Sequence, residues 1–217
     1  MWRRLARWLM AVGVVGGLVF GISGGWQDPW LWAYVGTWAL MSMYVLFTID
    51  EDLARERFTP PEPGADRVAL RAVQLVALSH LVTGALDTGR LHLTTVEPAF
   101  RVAGFIGMVI SGVVMFHAML SNRFFSSVVR IQKERGHTLV DSGPYAVVRH
   151  PGYLGMLFLV PFSGLALGSW LSVGVGLIYS AMILRRVLFE DAFLTQNLDG
   201  YADYTRRVPY RLVPGVF

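Results

Sequence analysis

The 217-residue chain has no cysteine, a single lysine and a charged fraction of only 16%. The lack of cysteine excludes disulfides, thiolate metal ligands and a cysteine nucleophile. Histidine and acidic residues form no cluster at metal-ligand spacing, so the sequence also predicts no metal site. The charged fraction lies below the roughly 25% that is usual in soluble domains. These shortages point away from a soluble metalloenzyme or thiol enzyme.

Hydrophobic residues, in contrast, make up 54% of the chain and gather in six long runs. A helix of roughly 20 mostly apolar residues crosses the hydrocarbon core of a bilayer. The runs are 8–24, 30–49, 68–86, 100–120, 153–167 and 170–189. Arg71, Gln74 and His80 interrupt the third run, which leaves a partly interfacial position open for it. We therefore predict an all-α integral membrane protein with a bundle of five to six transmembrane helices.

The basic residues predict the orientation of this bundle. With a cytoplasmic N-terminus, six spans place 17 of the 19 Lys and Arg residues inside and only Arg90 and Arg101 outside. Cytoplasmic loops are enriched in these residues, so both termini are expected in the cytoplasm. The preference for arginine over lysine is typical of a GC-rich bacterial genome, which makes the bacterial inner membrane the expected location. The net charge of +4 then reflects topology and attraction to anionic membrane lipids, not nucleic-acid binding.

Small residues recur every fourth position in three of the runs, which predicts close helix packing and no ligand site. These stripes are Gly13, Gly17, Gly21 and Gly25; Ala103, Gly107 and Ser111; and Ser172, Gly176 and Ser180. The charged, proline-containing segment 50–67 between the second and third runs predicts a solvated cytoplasmic connector, with a segment that covers a site as the alternative. Most of the remaining polar residues lie in segments 121–151 and 185–217, where we expect the function.

The stretch GPYAVVRHPGYLG, residues 143–155, predicts an ordered loop at the cytoplasmic surface. Pro144 and Pro151 each remove a backbone donor and disfavour helix before them. Pro151 also suits the first position of the next helix. Arg149 and His150 would then lie beside the free N–H groups at a helix N-terminus, where an anionic ligand group is favoured. The loop therefore predicts an anion-binding lip.

A second charged cluster, in LRRVLFEDAFL, lies at the cytoplasmic end of the sixth run. Arg186 and Glu190 are four residues apart, so they share one helix face. The fifth and sixth runs are joined by a very short turn, so they must run antiparallel as neighbours. The spacing therefore predicts that the two charged clusters converge in space.

Together, GHTLVDSGPYAVVRHPGYLG, RRVLFEDAFL and LDGYADYTRRVPYRLVP resemble the catalytic half of the isoprenylcysteine carboxyl methyltransferase and phospholipid methyltransferase superfamily. The resemblance covers residues 121–214. It divides the chain into variable transmembrane helices, 1–120, with four spans, and a catalytic half, 121–217. It implies methyl transfer from S-adenosylmethionine in a cytoplasmic pocket to a lipophilic small-molecule or lipid acceptor that arrives from the bilayer. The acceptor group is left open among carboxylate, amine, phenol and thiol.

The resemblance also assigns site residues. The expected cofactor-binding residues are His137, Leu139, Val140, Gly143, Pro144, Tyr145, Arg149, His150, Pro151, Tyr153, Glu190, Tyr201 and Tyr204. The expected catalytic residues are Arg185, Arg186, Glu190 and Asp191. Many relatives have two glutamates where this chain has Glu190 and Asp191, so the division of roles between these two carboxylates stays open. The tyrosine rings offer aromatic faces to the sulfonium cation.

Two other classes of function remain as alternatives. Membrane sterol reductases end in a similar Arg-His-Pro region and use NADPH, which would make the protein an oxidoreductase. A non-enzymatic membrane subunit would leave the convergent charges unexplained. No soluble G-x-G-x-x-G fingerprint is present. His80 and His117 are interpreted as hydrogen-bonded bundle residues, with lining of an acceptor tunnel as the alternative.

The methyltransferase interpretation carries its own expectations for variants. Glu190→Gln should lower turnover at least tenfold, and Asp191→Asn should lower it less. His150→Ala should weaken cofactor binding more than Tyr153→Phe does. KM should fall as the alkyl chain of the acceptor lengthens, because the acceptor enters sideways from the bilayer.

Overall fold

The computed structural model describes residues 2–61 and 64–217, and within these ranges the protein is built from helices and loops without strands. An extra π-helical turn, Asp87–Leu91, directly follows the helix that ends at Leu86. Two short 3₁₀ turns, Lys133–Arg135 and Gly143–Ala146, interrupt the loop that precedes the helix beginning at Pro151. The helices are α1 Trp2–Ser23, α2 Pro29–Thr48, α3 Glu51–Phe58, α4 Arg67–Leu86, α5 Pro98–Ser121, α6 Pro151–Leu167, α7 Trp170–Asn197 and α8 Tyr201–Arg207.

All six predicted spans are helices, so the all-α membrane fold is confirmed. Five helices, α1, α2, α4, α5 and α7, are long and apolar enough to cross a membrane. The third run forms such a helix despite its polar residues. The sixth helix, α6, has 17 residues and contains Pro161. At 1.5 Å per residue it is about 26 Å long, slightly short of a bilayer core.

The turn between α6 and α7 makes these helices an antiparallel hairpin, as predicted. Gly168 ends α6 with a φ of +90°, a conformation that favours glycine. Ser169 then caps α7, its side chain accepting from the backbone N–H of Ser172. The hairpin brings the start of α6 and the end of α7 to the same end of the bundle. We call this the loop end, formed with segments 49–61, 64–66, 122–150 and 198–217.

Close packing confirms the small-residue stripes of α5 and α7. A Cβ on Gly155 of α6 would lie 2.5 Å from the carbonyl oxygen of Ser111 in α5. A Cβ on Gly176 of α7 would lie 2.8 Å from the backbone nitrogen of Pro161. Such contacts leave room only for hydrogen, so the helices α5, α6 and α7 are locked at short distance.

The stripe in α1 behaves differently, and its prediction was wrong for three of its four glycines. The fourth, Gly25, lies beyond the end of α1, where a Cβ would lie 2.9 Å from the Leu31 side chain. A Cβ on Gly13, Gly17 or Gly21 would meet nothing within 4 Å. The packed face of α1 instead carries Val19 and Phe20, which are buried in the core with residues of α2, α5 and α6. Large apolar side chains fill the space here, so the glycines lie on the outer face of the helix.

Candidate functional site

A cavity of about 220 Å³ lies at the loop end. Its walls come from α3, α4, α6, α7, α8 and the loop between α5 and α6. Of the expected site residues, it is lined by His137, Leu139, Val140, Tyr145, Arg149, His150, Tyr153, Arg186, Glu190, Tyr201 and Tyr204. The two charged clusters, separated by about 40 residues in sequence, therefore converge on one cavity.

The other expected site residues lie outside the lining. Gly143 and Pro144 form the 3₁₀ turn that carries Tyr145 to the cavity. Pro151 takes the first position of α6, as predicted. Arg185 is exposed, so of the two neighbouring arginines only Arg186 faces the cavity. Asp191 is buried behind the cavity wall.

Asp191 is the centre of a buried polar network. Its carboxylate accepts hydrogen bonds from the Arg149 guanidinium at 2.8 and 2.9 Å and from Arg211 Nε at 2.8 Å. The hydroxyl of Tyr201 donates to it at 3.0 Å, and Nε2 of His150 lies 3.0 Å away. One carboxylate thus joins α7 to the start of α6, to α8 and to the C-terminal segment.

All three guanidinium nitrogens of Arg149 therefore have hydrogen-bond partners within the protein. Its third nitrogen, Nη1, donates to the carbonyl oxygen of Val208 at 2.8 Å. Burial alone would lower the pKa of Arg149, but the hydrogen bonds and charge of Asp191 raise it above its usual value. The anion-binding lip predicted at Arg149 and His150 has no free guanidinium. What remains of it is the N-terminus of α6, which has no side-chain cap.

Glu190, next to Asp191 in sequence, points to the cavity instead of the wall. The hydroxyl of Tyr153 donates to Glu190 Oε2 at 2.6 Å. No cation forms an ion pair with this carboxylate within the described part of the chain. A carboxylate with one neutral donor keeps further lone pairs for a ligand. Glu190 is therefore the cavity's available acidic group.

The described residues of segment 50–67, which are 50–61 and 64–67, contribute Arg57 to the cavity wall instead of forming a solvated connector, so that prediction was wrong. Residues 62 and 63 of the segment lie outside the described ranges. Glu56 in α3 is 2% exposed and accepts hydrogen bonds from Arg130, at 2.7 and 3.1 Å, and from Ser126. Burial alone would raise the pKa of Glu56, but these hydrogen bonds and the charge of Arg130 lower it. Asp66 pairs with Arg186 Nε at 2.7 Å. These buried ion pairs hold the segment against the loop and α7.

This arrangement brings Arg57 into the cavity lining. Arg57 is not among the site residues predicted from the sequence. Its guanidinium lies 5.8 Å from the Phe125 ring centroid. No carboxylate pairs with it among residues 2–61 and 64–217. Burial, followed by the like charge of Arg186, lowers its pKa. The spacing Leu53, Glu56, Arg57 marks one helix face and was the available signal.

His137 is held in its neutral form. Its Nδ1 accepts a hydrogen bond from the backbone N–H of Gln132 at 3.2 Å, and its ring stacks on Phe124. Burial, with the nearby charges of Arg130 and Arg135, lowers the pKa of His137 to about 4. Protonation would remove the hydrogen-bond acceptor at Nδ1 and add a third positive charge to those of Arg130 and Arg135. The loop conformation therefore requires the neutral ring.

We expect acid to destabilise this loop in a definite pH range. The pKa of His137 is about 4 in the folded protein and near 6.5 when unfolded, so the unfolded state binds the proton first. The contribution of His137 to the free energy of unfolding is constant above about pH 6.5 and decreases as the pH is lowered from about 6.5 to about 4. Thermal unfolding in detergent across this range measures it. His137→Gln should flatten the dependence, and an unchanged slope in that variant would contradict the assignment.

Comparisons with known proteins agree with the fold. Residues 104–196 match the model of the isoprenylcysteine carboxyl methyltransferase (ICMT) family. A probable protein-S-isoprenylcysteine O-methyltransferase of Oryza sativa subsp. indica is 32% identical over 139 residues, covering 63% of this chain and 71% of that protein. The Schizosaccharomyces pombe protein-S-isoprenylcysteine O-methyltransferase is 32% identical over 90 residues, 39% of this chain, and the match spans 37% of its length.

The solved structure of a eukaryotic intramembrane Ras methyltransferase, ICMT, has the same fold. It superposes with a TM-score of 0.64 at 22% sequence identity and covers 98% of this chain and 77% of that one. The membrane helices, the loop-end cavity and the similarity to the rice protein lead to one conclusion. The chain is an integral membrane protein that belongs to the isoprenylcysteine carboxyl methyltransferase family.

Proposed function

We propose that the protein transfers a methyl group from S-adenosylmethionine to a carboxylate on a lipophilic acceptor. The reaction takes place at the cytoplasmic face of the bacterial inner membrane, with both chain termini in the cytoplasm. The observation that carries this proposal is the composition of one cavity: Glu190 and Arg57 lie in its lining without ionic partners in the described residues, beside an apolar wall from α4.

The cavity residues fit S-adenosylmethionine. Glu190 keeps lone pairs free for hydroxyl or amine donors, and the uncapped N-terminus of α6 favours a carboxylate. Tyrosine rings in the lining offer faces to a cation. When bound, the cofactor supplies a methyl carbon on a sulfonium, and transfer to a carboxylate oxygen gives a methyl ester and a neutral thioether. The chain's own residues position the reactants and exclude water.

Arg57 supports a carboxylate as the acceptor group. A guanidinium that lines a cavity without an ionic partner gains most from a bidentate anion. A carboxylate is ionised at neutral pH, so it needs no base before it attacks. The relatives are named as O-methyltransferases, which agrees with ester formation. An amine, phenol or thiol would gain little from Arg57 and would first have to lose a proton.

The proposal is tested by methyl transfer from labelled S-adenosylmethionine to an S-isoprenylated cysteine and to its carboxamide, with the purified protein in detergent. We expect the acid to be methylated and the amide to be left unchanged. Arg57→Gln should raise KM for the acid about tenfold, since a charge-assisted hydrogen bond contributes about 1.5–3 kcal/mol. Arg55→Gln, an exposed position on the same helix, is the matched control.

Each outcome separates the alternatives. Binding of NADPH without binding of S-adenosylmethionine, measured by calorimetry on the same sample, would favour the reductase interpretation. Binding of neither would favour a non-enzymatic subunit. Methylation of an amine or thiol acceptor with no effect of Arg57→Gln would retain the methyltransferase and reject the carboxylate acceptor.

A further inference from the structure

A second cavity, of about 240 Å³, lies deeper in the bundle, away from the loop end. Residues of α2, α4, α5 and α6 line it, and most of them are apolar. The role assigned to the loop-end cavity does not use this space. The lining of this deep cavity shows how the two are related.

One face of α4 lines both cavities in succession. Leu70, Val73, Gln74 and Ala77 line the loop-end cavity, and Ala77 and His80 line the deep one. Positions three, four, seven and ten residues apart fall on one face of a helix. Ala77 is shared by the two linings, so it lies at their junction.

The facing helix, α6, shows the same succession. Tyr153 and Met156 line the loop-end cavity, and Val160 and Ser163 line the deep one. These positions also recur at intervals of three and four residues. From Leu70 to His80 the path is about 15 Å long at the rise of an α-helix. Two helices thus carry lining residues of both cavities in the same order along the bundle.

The deep cavity contains a polar group of three side chains, Tyr34, Ser163 and His80. Because a carbonyl oxygen can only accept, His80 Nδ1 donates to Ala77 O at 3.0 Å. In the neutral ring, Nε2 then accepts from the Ser163 hydroxyl at 3.0 Å, and Ser163 accepts from the Tyr34 hydroxyl at 2.7 Å. Every donor of the group is used internally. A hydrocarbon placed beside it leaves no donor unsatisfied.

We propose that the two cavities form a single channel for the hydrocarbon tail of the acceptor, and that Ala77 sets the longest tail that fits. This inference rests on the proposed function for the identity of the occupant. The methyl side chain of Ala77 is the smallest on the α4 face between the cavities. A larger side chain there closes the path to the deep cavity and leaves the loop-end cavity open.

Trp38 lines the deep cavity and provides a direct readout of its occupation. Straight-chain carboxylic acids with a terminal bromine should quench its fluorescence once the chain is long enough to pass Ala77. The quenching is measured as the difference between wild-type protein and Trp38→Phe, because the chain has seven tryptophans. We expect short acids to give no such difference and long acids to give a large one.

Ala77→Leu should abolish the Trp38-dependent quenching and lower the ratio of long-acid to short-acid affinity at least tenfold. Ala69→Leu adds the same atoms at an exposed position of α4 and should behave as wild type. Ala77→Val provides a smaller obstruction if the leucine variant does not fold, and it should shift the effect to an intermediate size.

Equal quenching in wild type and Trp38→Phe at every chain length would overturn the channel. So would long-chain binding by Ala77→Leu that matches Ala69→Leu. These readouts need no methyl transfer. Quenching without methylation would therefore reject the proposed function and retain the channel, and methylation without quenching would do the reverse.

Discussion

Replacing Asp191 with asparagine is expected to lower the free energy of unfolding by about 3–5 kcal/mol. The reason is the network around this carboxylate, which holds Arg149, His150, Tyr201 and Arg211. A neutral amide leaves the Arg149 guanidinium buried without a counter-charge, since that side chain is only 4% exposed. Removing one partner of a buried pair costs much more than removing both. Thermal unfolding followed by intrinsic tryptophan fluorescence measures the effect.

Asp203→Asn is the matched control, because this aspartate pairs with Arg206 on the exposed surface of α8. Exposed pairs contribute about 0–1 kcal/mol, so the unfolding midpoint should hardly move. A midpoint for Asp191→Asn equal to that of the control would show that the network does not hold the loop end together. The expectation that Asp191→Asn affects turnover less than Glu190→Gln stays a prediction, measured on folded protein only.

Glu190→Gln is expected to leave the protein folded and to lower turnover at least tenfold, or about 1.4 kcal/mol of barrier. The side chain lines the cavity, where the Tyr153 hydroxyl is its only hydrogen-bond donor within the described ranges. Glutamine can still accept that bond, so the local structure survives. The loss is the negative charge and the acceptor strength that a donor-rich ligand requires. Initial rates with labelled S-adenosylmethionine measure it.

Glu51→Gln, at the exposed start of α3, serves as the control for this substitution. Tyr153→Phe adds a second comparison, because it removes the donor to Glu190 without removing the charge. We expect its rate to lie between those of wild type and Glu190→Gln. Wild-type turnover in Glu190→Gln would assign this carboxylate to the surface and remove the acidic group from the proposed site.

Much of the fold follows from the sequence because the thickness of a bilayer sets the length of each helix that crosses it. Each apolar run had to become a helix, and the two-residue turn at Gly168 and Ser169 forced α6 and α7 to run antiparallel. That geometry also placed Arg149 beside the end of α7. The start of α6 at Pro151 followed from the missing backbone donor of proline.

The parts that could not be predicted depend on which face of a helix meets which neighbour. Glycine spacing alone does not say whether Gly17 faces a helix or the outside. Charge alone did not show that Glu56 is buried or that Arg57 reaches the cavity, because their partners are 68 or more residues away in sequence. The roles of two adjacent acidic residues cannot be assigned without a structure either, and here Glu190 lines the cavity while Asp191 is buried in the network behind its wall.

The wall formed by α3 and α4 lies outside the stretch that matches the family, residues 104–196. Arg57 and Ala77, the two side chains proposed to select the acceptor, come from this wall, and Glu190 and the N-terminus of α6 come from the matched stretch. We therefore expect that grafting the α3–α4 segment of one relative onto the α5–α8 segment of another exchanges the range of accepted molecules and keeps the residues proposed to hold the methyl donor.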